Sequence, residues 1–190
     1  YNRLNENYTL LTDDYEYKMA NGYIVSRKEN ESVVFDIFFR KVPNNGGYAI
    51  MAGLDKVIAY IENLKFGERE LDYFKRKGYP ETLINYLKDF KFTGDIYAIP
   101  DGTPVFPNEP VITVKANAIE AQIIETALLT NFNHGSLVTT AAKRLTSAAE
   151  NIPVMEFGAR RARGIDSAIE ASKYAYVGGC VGTSNVHAGM

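Results

Sequence analysis

Three arginines, Arg160, Arg161 and Arg163, fall within four residues of one another in the segment Glu156-Phe157-Gly158-Ala159-Arg160-Arg161-Ala162-Arg163-Gly164. A guanidinium fork matches a carboxylate or a phosphate through two parallel hydrogen bonds. Phe157 adds a flat apolar face on which a ring can stack. Gly158 and Gly164 let the backbone bend close to a ligand. An aromatic acid next to a phosphate suits this set. The same residues also suit a solvated basic loop, or arginines that pair with acidic side chains elsewhere. A second candidate is Gly178-Gly179-Cys180-Val181-Gly182-Thr183-Ser184-Asn185. Glycines with Thr and Ser at a strand-to-helix junction can present backbone N–H groups to an anion. No Gly-Lys-Ser/Thr follows, so the spacing is not that of a P-loop, and a plain tight turn fits the same residues.

The elements around both segments read as β then α. Residues 154–157 form a short strand and 158–165 a loop. Asp166 can cap a helix running to about Tyr176, residues 176–180 start another strand, and 182–185 make a second loop. Strand, loop, helix, strand is the unit of a parallel sheet or a β/α barrel. Sites in such architectures lie at the C-terminal ends of the strands. Two parallel strands do not close a barrel of about eight, so the chain is expected to stop within a domain and to be a fragment.

Upstream, residues 12–23 look helical, with Thr12 or Asp13 able to cap the start. Residues 33–40 alternate as a strand, Val33, Phe35, Ile37 and Phe39 on one face and Val34, Asp36, Phe38 and Arg40 on the other. Residues 43–47 are a turn. Val57, Ile58, Ile61 and Leu64 make 55–64 an amphipathic helix. Two more helices follow at 68–76 and 80–90, with Gly78 ending the first and Pro80 opening the second. Short β runs at 95–99, 103–106 and 111–114 form a small β substructure. Residues 118–149 are largely helical, interrupted near Gly135, as a buried helix pair. The expected class is α/β: an N-terminal α+β domain over 1–117, linking helices over 118–150, and the first βα units of a barrel-like domain over 151–190.

The chain has 190 residues, with 21 basic and 23 acidic side chains and a net charge of -2. No global basic excess points to nucleic acid, so any anion must be held locally. Cys180 is the single cysteine, so an intrachain disulfide is excluded, which fits a reducing compartment. Cys180 itself reads as a small buried residue. Residues 1–7 lack a basic-then-apolar signal pattern, and no apolar run approaches the about 20 residues of a membrane helix. A soluble cytoplasmic protein is the expectation.

Taken in order, several motifs resemble the nicotinate phosphoribosyltransferase family. Leu10-Leu11-Thr12-Asp13-Asp14-Tyr15-Glu16-Tyr17-Lys18-Met19 resembles its opening Thr-Asp-x-Tyr-x-x-x-Met. Phe38-Phe39-Arg40-Lys41-Val42-Pro43 resembles its Phe-Phe-Arg-Lys-x-Pro, and Gly47-Tyr48-Ala49-Ile50-Met51-Ala52-Gly53-Leu54 the Gly-Tyr-x-x-x-x-Gly-Leu that follows. Glu156 to Gly164 resembles Asp/Glu-Phe-Gly-x-Arg-Arg-Ala-x-Gly, and the glycine loop ends in the family's Thr-Ser-Asn-Val. Each motif is modest alone, and their order and spacing are specific.

The resemblance implies a type II phosphoribosyltransferase architecture. It implies an enzyme joining nicotinate to phosphoribosyl pyrophosphate, with ATP hydrolysis and Mg²⁺, as a homodimer with shared active sites. Phe157 resembles the residue that stacks on the pyridine ring, and Arg160 the arginine that reaches the substrate's acidic group and phosphoribosyl moiety. Tyr15 resembles a tyrosine that covers the ring from the neighbouring subunit. Arg40 resembles a phosphate-binding arginine also donated across the dimer, and Arg161 joins it in binding phosphate. Gly179, Thr183 and Ser184 are the expected substrate contacts of the glycine loop. Ser184 stands where nicotinamide enzymes carry an aspartate, and losing that carboxylate favours acid over amide. No catalytic residue is expected in this chain, because the family's phosphohistidine lies in a later Gly-Thr-x-x-His segment. His187 is read as a helix-face histidine satisfied locally, and His134 as structural. Without the resemblance, Tyr15, Met19 and Tyr23, spaced four apart, read as a buried helix face. A sister nicotinamide or quinolinate enzyme, and a non-catalytic binding or assembly module, are the competing readings.

Overall fold

The computed structural model describes residues 8–190; the N-terminal segment 1–7, read above for a signal pattern, lies outside them. The described chain mixes helices and strands, the α/β class expected, and divides into two units built from interleaved stretches.

The first unit takes the residues up to Asp36, then Asp55–Tyr97 and Thr113–Leu129. It holds helices α1 (Asp14–Val25), α2 (Leu54–Asn63), α3 (Glu68–Arg76) and α4 (Glu81–Lys88) and a sheet of β1 (Ser32–Ile37), β3 (Asp95–Ala98) and β5 (Ile112–Asn117) in the order β1-β5-β3. Rings carry much of its core. Tyr17 meets Phe74 edge-on at 4.6 Å and Phe66 at 6.2 Å, and Phe66 meets Phe90 at 5.4 Å. Such pairs add about 0.5–1.5 kcal/mol beyond the area they bury. Asp13 holds the N-cap position of α1 without a side-chain cap bond; its carboxylate accepts from the Thr126 hydroxyl at 3.4 Å instead. The buried face of α1 is Glu16, Tyr17 and Ala20. Tyr15 and Met19 are 49% and 41% exposed, so the face sequence periodicity would have buried is the outer one. The polar Glu16 takes the inside because Gln122 donates its side-chain amide to it.

The sheet alternation holds further than the strand does. β1 ends at Ile37, not at Arg40, yet Phe39 is buried while Phe38 and Arg40 are exposed. Asp36 faces outward and accepts from the Thr113 hydroxyl at 2.6 Å.

The second unit takes Ile37–Leu54, Ala98–Ile112 and Thr130–Met190. β2 (Ala49–Ile50) pairs antiparallel with β4 (Pro104–Val105), Ala49 opposite Val105. Residues 118–148 form one helix, α5 (Ala118–Ala148), without the interruption expected near Gly135. A glycine inside a helix costs about 1 kcal/mol against alanine. Here it is set by a neighbour: a Cβ on Gly135 would meet the Ala52 carbonyl oxygen at 2.7 Å. The helix lies directly on the Ala49–Gly53 backbone, and its hydroxyls complete that backbone's bonds. Ile50 N–H donates to Thr140 Oγ1 at 2.8 Å and Ala52 N–H to Ser136 Oγ at 3.1 Å.

After α5 comes a βαβ unit. β6 (Met155–Glu156) and β7 (Gly182–Thr183) are parallel, Met155 beside Gly182 and Glu156 beside Thr183, and α6 (Ile165–Val177) connects them. The strand expected at 176–180 is not there. α6 runs through Val177 and ends in a Schellman turn, in which Gly179 N–H donates to Tyr176 and Cys180 N–H to Ala175. Gly179 sits at φ 99, the left-handed position that favours glycine. Cys180, buried, packs with Ala142, Ala175 and Val154. Asp166 lies in the first turn of α6, and Gly164 takes the N-cap place expected for it.

Candidate functional site

β6 is two residues long, and the segment of interest leaves its C-terminal end. Gly158 N–H turns back to the Glu156 carboxylate, and Arg161 N–H closes a 3₁₀ turn on the Gly158 carbonyl at 2.7 Å. That turn, Ala159–Arg161, carries two of the three arginines. Arg160, Arg161 and Arg163 are all exposed. None of their guanidinium groups forms an ion pair or hydrogen bond among the described residues. Pairing with acidic side chains of this chain is thus excluded for the described residues, and three donor forks stay available. Phe157 is 70% exposed, with no ring packed on it among the described residues. An uncovered aromatic ring beside unspent guanidinium groups is equipped to hold a flat anion: stacking takes the ring, the forks take the charge.

Glu156 organises this end of the unit. Its carboxylate accepts from the Thr183 hydroxyl at 2.6 Å and from Gly158 N–H, and Ser172 Oγ of α6 stands 3.0 Å away. Its main-chain carbonyl accepts Ser184 N–H at 2.9 Å. Burial works to raise its pKa, yet the bonds from Thr183, Gly158 and Ser172 outweigh burial and hold the carboxyl below the ordinary glutamate range. Sequence reading placed Glu156 inside the motif without giving it a role. The signal that could have found it is an acid at a strand end with Thr and Ser one strand and one helix away.

Of the two readings of the second loop, an N–H cradle and a plain tight turn, the bonding fits the turn. Gly178, Gly179 and Cys180 donate to Tyr174, Tyr176 and Ala175, Val181 to Val154, and Asn185 to Thr183 Oγ1. These donors are spent within the fold and are not available to an anion. Gly179 packs against Thr146, whose hydroxyl bonds the Gly178 carbonyl at 2.8 Å. Thr183 gives its hydroxyl to Glu156. Ser184 is exposed, one residue beyond the parallel register that sets Glu156 beside Thr183. Phe157, Arg160, Arg161, Thr183 and Ser184 therefore gather at one end of the βαβ unit, and Gly179 closes α6.

Arg40 is exposed in the second unit, also without a side-chain partner among the described residues. Tyr15 belongs to the first unit, where Glu16, as acceptor and as a charge, pushes its phenol up to about 12. His134 stands edge-on to Tyr174 at 5.9 Å and 3.9 Å from Glu170, a packing position. His187 is exposed in a turn, not on a helix face. Burial, then the Glu156 charge, raises the Cys180 thiol. Among the described residues no group of three or more His, Cys, Asp or Glu side chains is placed to hold a metal ion, and no helix is long and apolar enough to cross a membrane.

The chain is similar to known proteins in sequence and fold. Residues 10–133 match the family described as nicotinate phosphoribosyltransferase (NAPRTase) N-terminal domain. Nicotinate phosphoribosyltransferase pncB2 of Mycobacterium tuberculosis is 41% identical over 178 residues, covering 93% of this chain and 38% of its own length. The Bacillus subtilis nicotinate phosphoribosyltransferase is 40% identical over 182 residues, covering 95% and 37%. The crystal structure of human nicotinic acid phosphoribosyltransferase superposes with a TM-score of 0.87 at 32% identity, over 95% of this chain and 37% of that one. The chain thus spans under two-fifths of the length of these relatives. With the family matched over most of its residues, the chain belongs to the nicotinate phosphoribosyltransferase N-terminal domain family.

Proposed function

We propose that the protein to which this chain belongs is an enzyme of NAD biosynthesis, a transferase joining nicotinate to phosphoribosyl pyrophosphate to give nicotinate mononucleotide and pyrophosphate. The observation that carries the reading is the set of exposed guanidinium groups of Arg160, Arg161 and Arg163, unpaired among the described residues, on the same segment as the exposed ring of Phe157. The names of the similar proteins support it.

In this reading the Phe157 ring stacks on the pyridine and Arg160 takes the nicotinate carboxylate. Arg161 and Arg40 take phosphate oxygens. Ser184 presents no charge toward the acid. The chemistry is a displacement at the ribose anomeric carbon with oxocarbenium character. Such a step needs the ring nitrogen held in line and the leaving pyrophosphate neutralised, and arginines supply both without a protein nucleophile. ATP and Mg²⁺ belong to the reading as co-reactants. The reading also takes a cytoplasmic homodimer in which Tyr15 and Arg40 serve the partner's site.

The test is the full enzyme, supplied with nicotinate, phosphoribosyl pyrophosphate, ATP and Mg²⁺. Nicotinate mononucleotide should form, and Arg160→Ala should lower kcat/KM by about 100-fold or more, a loss on the scale of one electrostatic donor. Turnover of nicotinamide alone, or an Arg160→Ala enzyme as active as the parent, would overturn it.

A further inference from the structure

We propose that Glu156 is a positioning residue for this reaction: it fixes the Phe157–Arg161 turn to the Thr183–Ser184 loop without taking up any of the arginines. The inference rests on the nicotinate reading above and goes beyond it, since neither substrate needs to touch Glu156.

Two problems meet at this end of the βαβ unit. The ring of Phe157 and the forks of Arg160 and Arg161 sit on a turn with few bonds of its own. Main-chain contacts inside the turn are limited to Arg161 N–H on Gly158 and Ala162 N–H on Ala159. β6 and β7 are two residues each, too short to fix a loop by ladder bonds alone. A tie between the two strand ends is therefore required if the site is to be held within the fraction of an ångström that productive geometry demands. Glu156 supplies that tie. One carboxylate oxygen takes Gly158 N–H, the first donor of the turn; the other takes the Thr183 hydroxyl at 2.6 Å and faces Ser172 Oγ at 3.0 Å. Its carbonyl holds Ser184 N–H at 2.9 Å. Thr183 Oγ1 in turn accepts Asn185 N–H at 3.0 Å, which carries the tie one residue further. One residue thereby links β6, the arginine turn, α6 and the loop after β7.

The second problem is charge. A carboxylate this close in sequence to three arginines has two possible costs. It can pair with a guanidinium and remove it from the substrate, or it can repel an anionic substrate. Glu156 does neither of the first kind: its donors are two hydroxyls and a backbone N–H, and the arginines stay unpaired among the described residues. Its negative charge is shared across those bonds, which blunts the second effect. A neutral side chain would avoid repulsion, yet it could not accept from Thr183, Ser172 and Gly158 together.

The experiment uses the full enzyme and steady-state kinetics in both substrates. Glu156→Ala should raise the KM for nicotinate at least 10-fold and the KM for phosphoribosyl pyrophosphate by a smaller factor, since Arg161 rides on the same turn while Arg40 does not, with kcat within about 3-fold of the parent. Thr183→Val, which removes one donor and little volume, should give a smaller shift in the same direction. The double variant should be little worse than Glu156→Ala, because the Thr183 hydroxyl acts on the turn through its bond to Glu156, which that variant already removes. Glu156→Asp, which retains the acceptor charge, should restore part of the nicotinate KM. An unchanged nicotinate KM in Glu156→Ala overturns the inference. So does a loss shared equally by both substrates and not lessened in Glu156→Asp, which marks a general structural role. Failure of the unsubstituted enzyme to use nicotinate would instead sink the functional reading, and the two outcomes are read from different samples.

Discussion

Two glutamates, one in each unit, do the same chemical work with different consequences. Glu120 in the first unit is 3% exposed and accepts four bonds: Thr93 N–H at 2.7 Å, Thr93 O–H at 2.9 Å, Gly94 N–H at 3.2 Å and the Asn117 amide at 2.6 Å. Glu120 N–H in turn donates to Asn117 Oδ1 at 2.9 Å, so the pair caps α5 reciprocally. Glu156 in the second unit is half-buried and gathers two hydroxyls and an N–H at a surface carrying three unpaired arginines. A satisfied carboxylate in a core locks the fold. A satisfied carboxylate at a rim holds exposed groups in place while leaving their charges to a ligand.

The difference predicts unequal costs of removal, and the largest falls on Glu120. Glu120→Ala loses four hydrogen bonds of about 1 kcal/mol each. Water restores part of this at Thr93, so a net loss of about 3 kcal/mol is expected. Urea unfolding of the full enzyme should show the midpoint falling without a comparable shift in the nicotinate KM of the folded fraction. A stability equal to the parent's would break the claim that Glu120 anchors its unit.

Glu156→Ala sharpens the contrast, since its stability loss should be smaller, about 1 kcal/mol, because the released donors face solvent. The sign with pH follows from its lowered pKa. Its contribution is present above the unfolded value near 4.3 and disappears as pH falls through the lower folded value. Unfolding midpoints of parent and variant should therefore differ at pH 7 and approach each other below about pH 4. A gap that persisted in acid would mean the carboxylate charge is not what the hydroxyls hold.

How much of this was legible in the sequence differs between the units for a physical reason. α3 and α6 both end in a Schellman turn. Gly78 sits at φ 75, with Tyr79 N–H bonded to Phe74 and the two rings 5.2 Å apart. Gly179 sits at φ 99 with Cys180 bonded to Ala175. The first was read as a helix end because charged residues and a following Pro80 frame it. The second reads as the start of a strand, because residues 176–180 are apolar enough to resemble one, with a ligand loop or a plain tight turn after it. Gly135 shows the same limit. A glycine in a helix pattern reads as a break, and only the Ala52 carbonyl opposite it explains why the helix continues. The candidate site was legible in residue types, since Phe157, Arg160 and Arg161 follow β6 and Ser184 follows the parallel β7. It was not legible in roles, because Thr183 and Glu156 are partners across 27 positions of sequence.

A third carboxylate bounds the comparison from below. Glu125, in α5 of the first unit, has one weak donor, the Gln122 amide at 3.3 Å. Burial first, then the charges of Glu16 and Asp13, raise its pKa. A raised folded pKa reverses the sign seen for Glu156. The favourable, protonated form is complete below the unfolded value and is lost as pH rises through the folded one. At pH 7 the ionised group therefore weighs against folding. Glu125→Gln retains the size and an acceptor while removing the charge. It should raise stability at pH 7 by a few tenths of a kcal/mol, an amount kept small by solvent screening of this partly exposed site. The gain should vanish near pH 4, where the parent's own carboxyl is protonated. Paired urea titrations at the two pH values measure this directly. A variant less stable than its parent at pH 7 would place Glu125 with the anchoring glutamates and remove the distinction between satisfied and unsatisfied carboxylates on which the contrast of Glu120 and Glu156 rests.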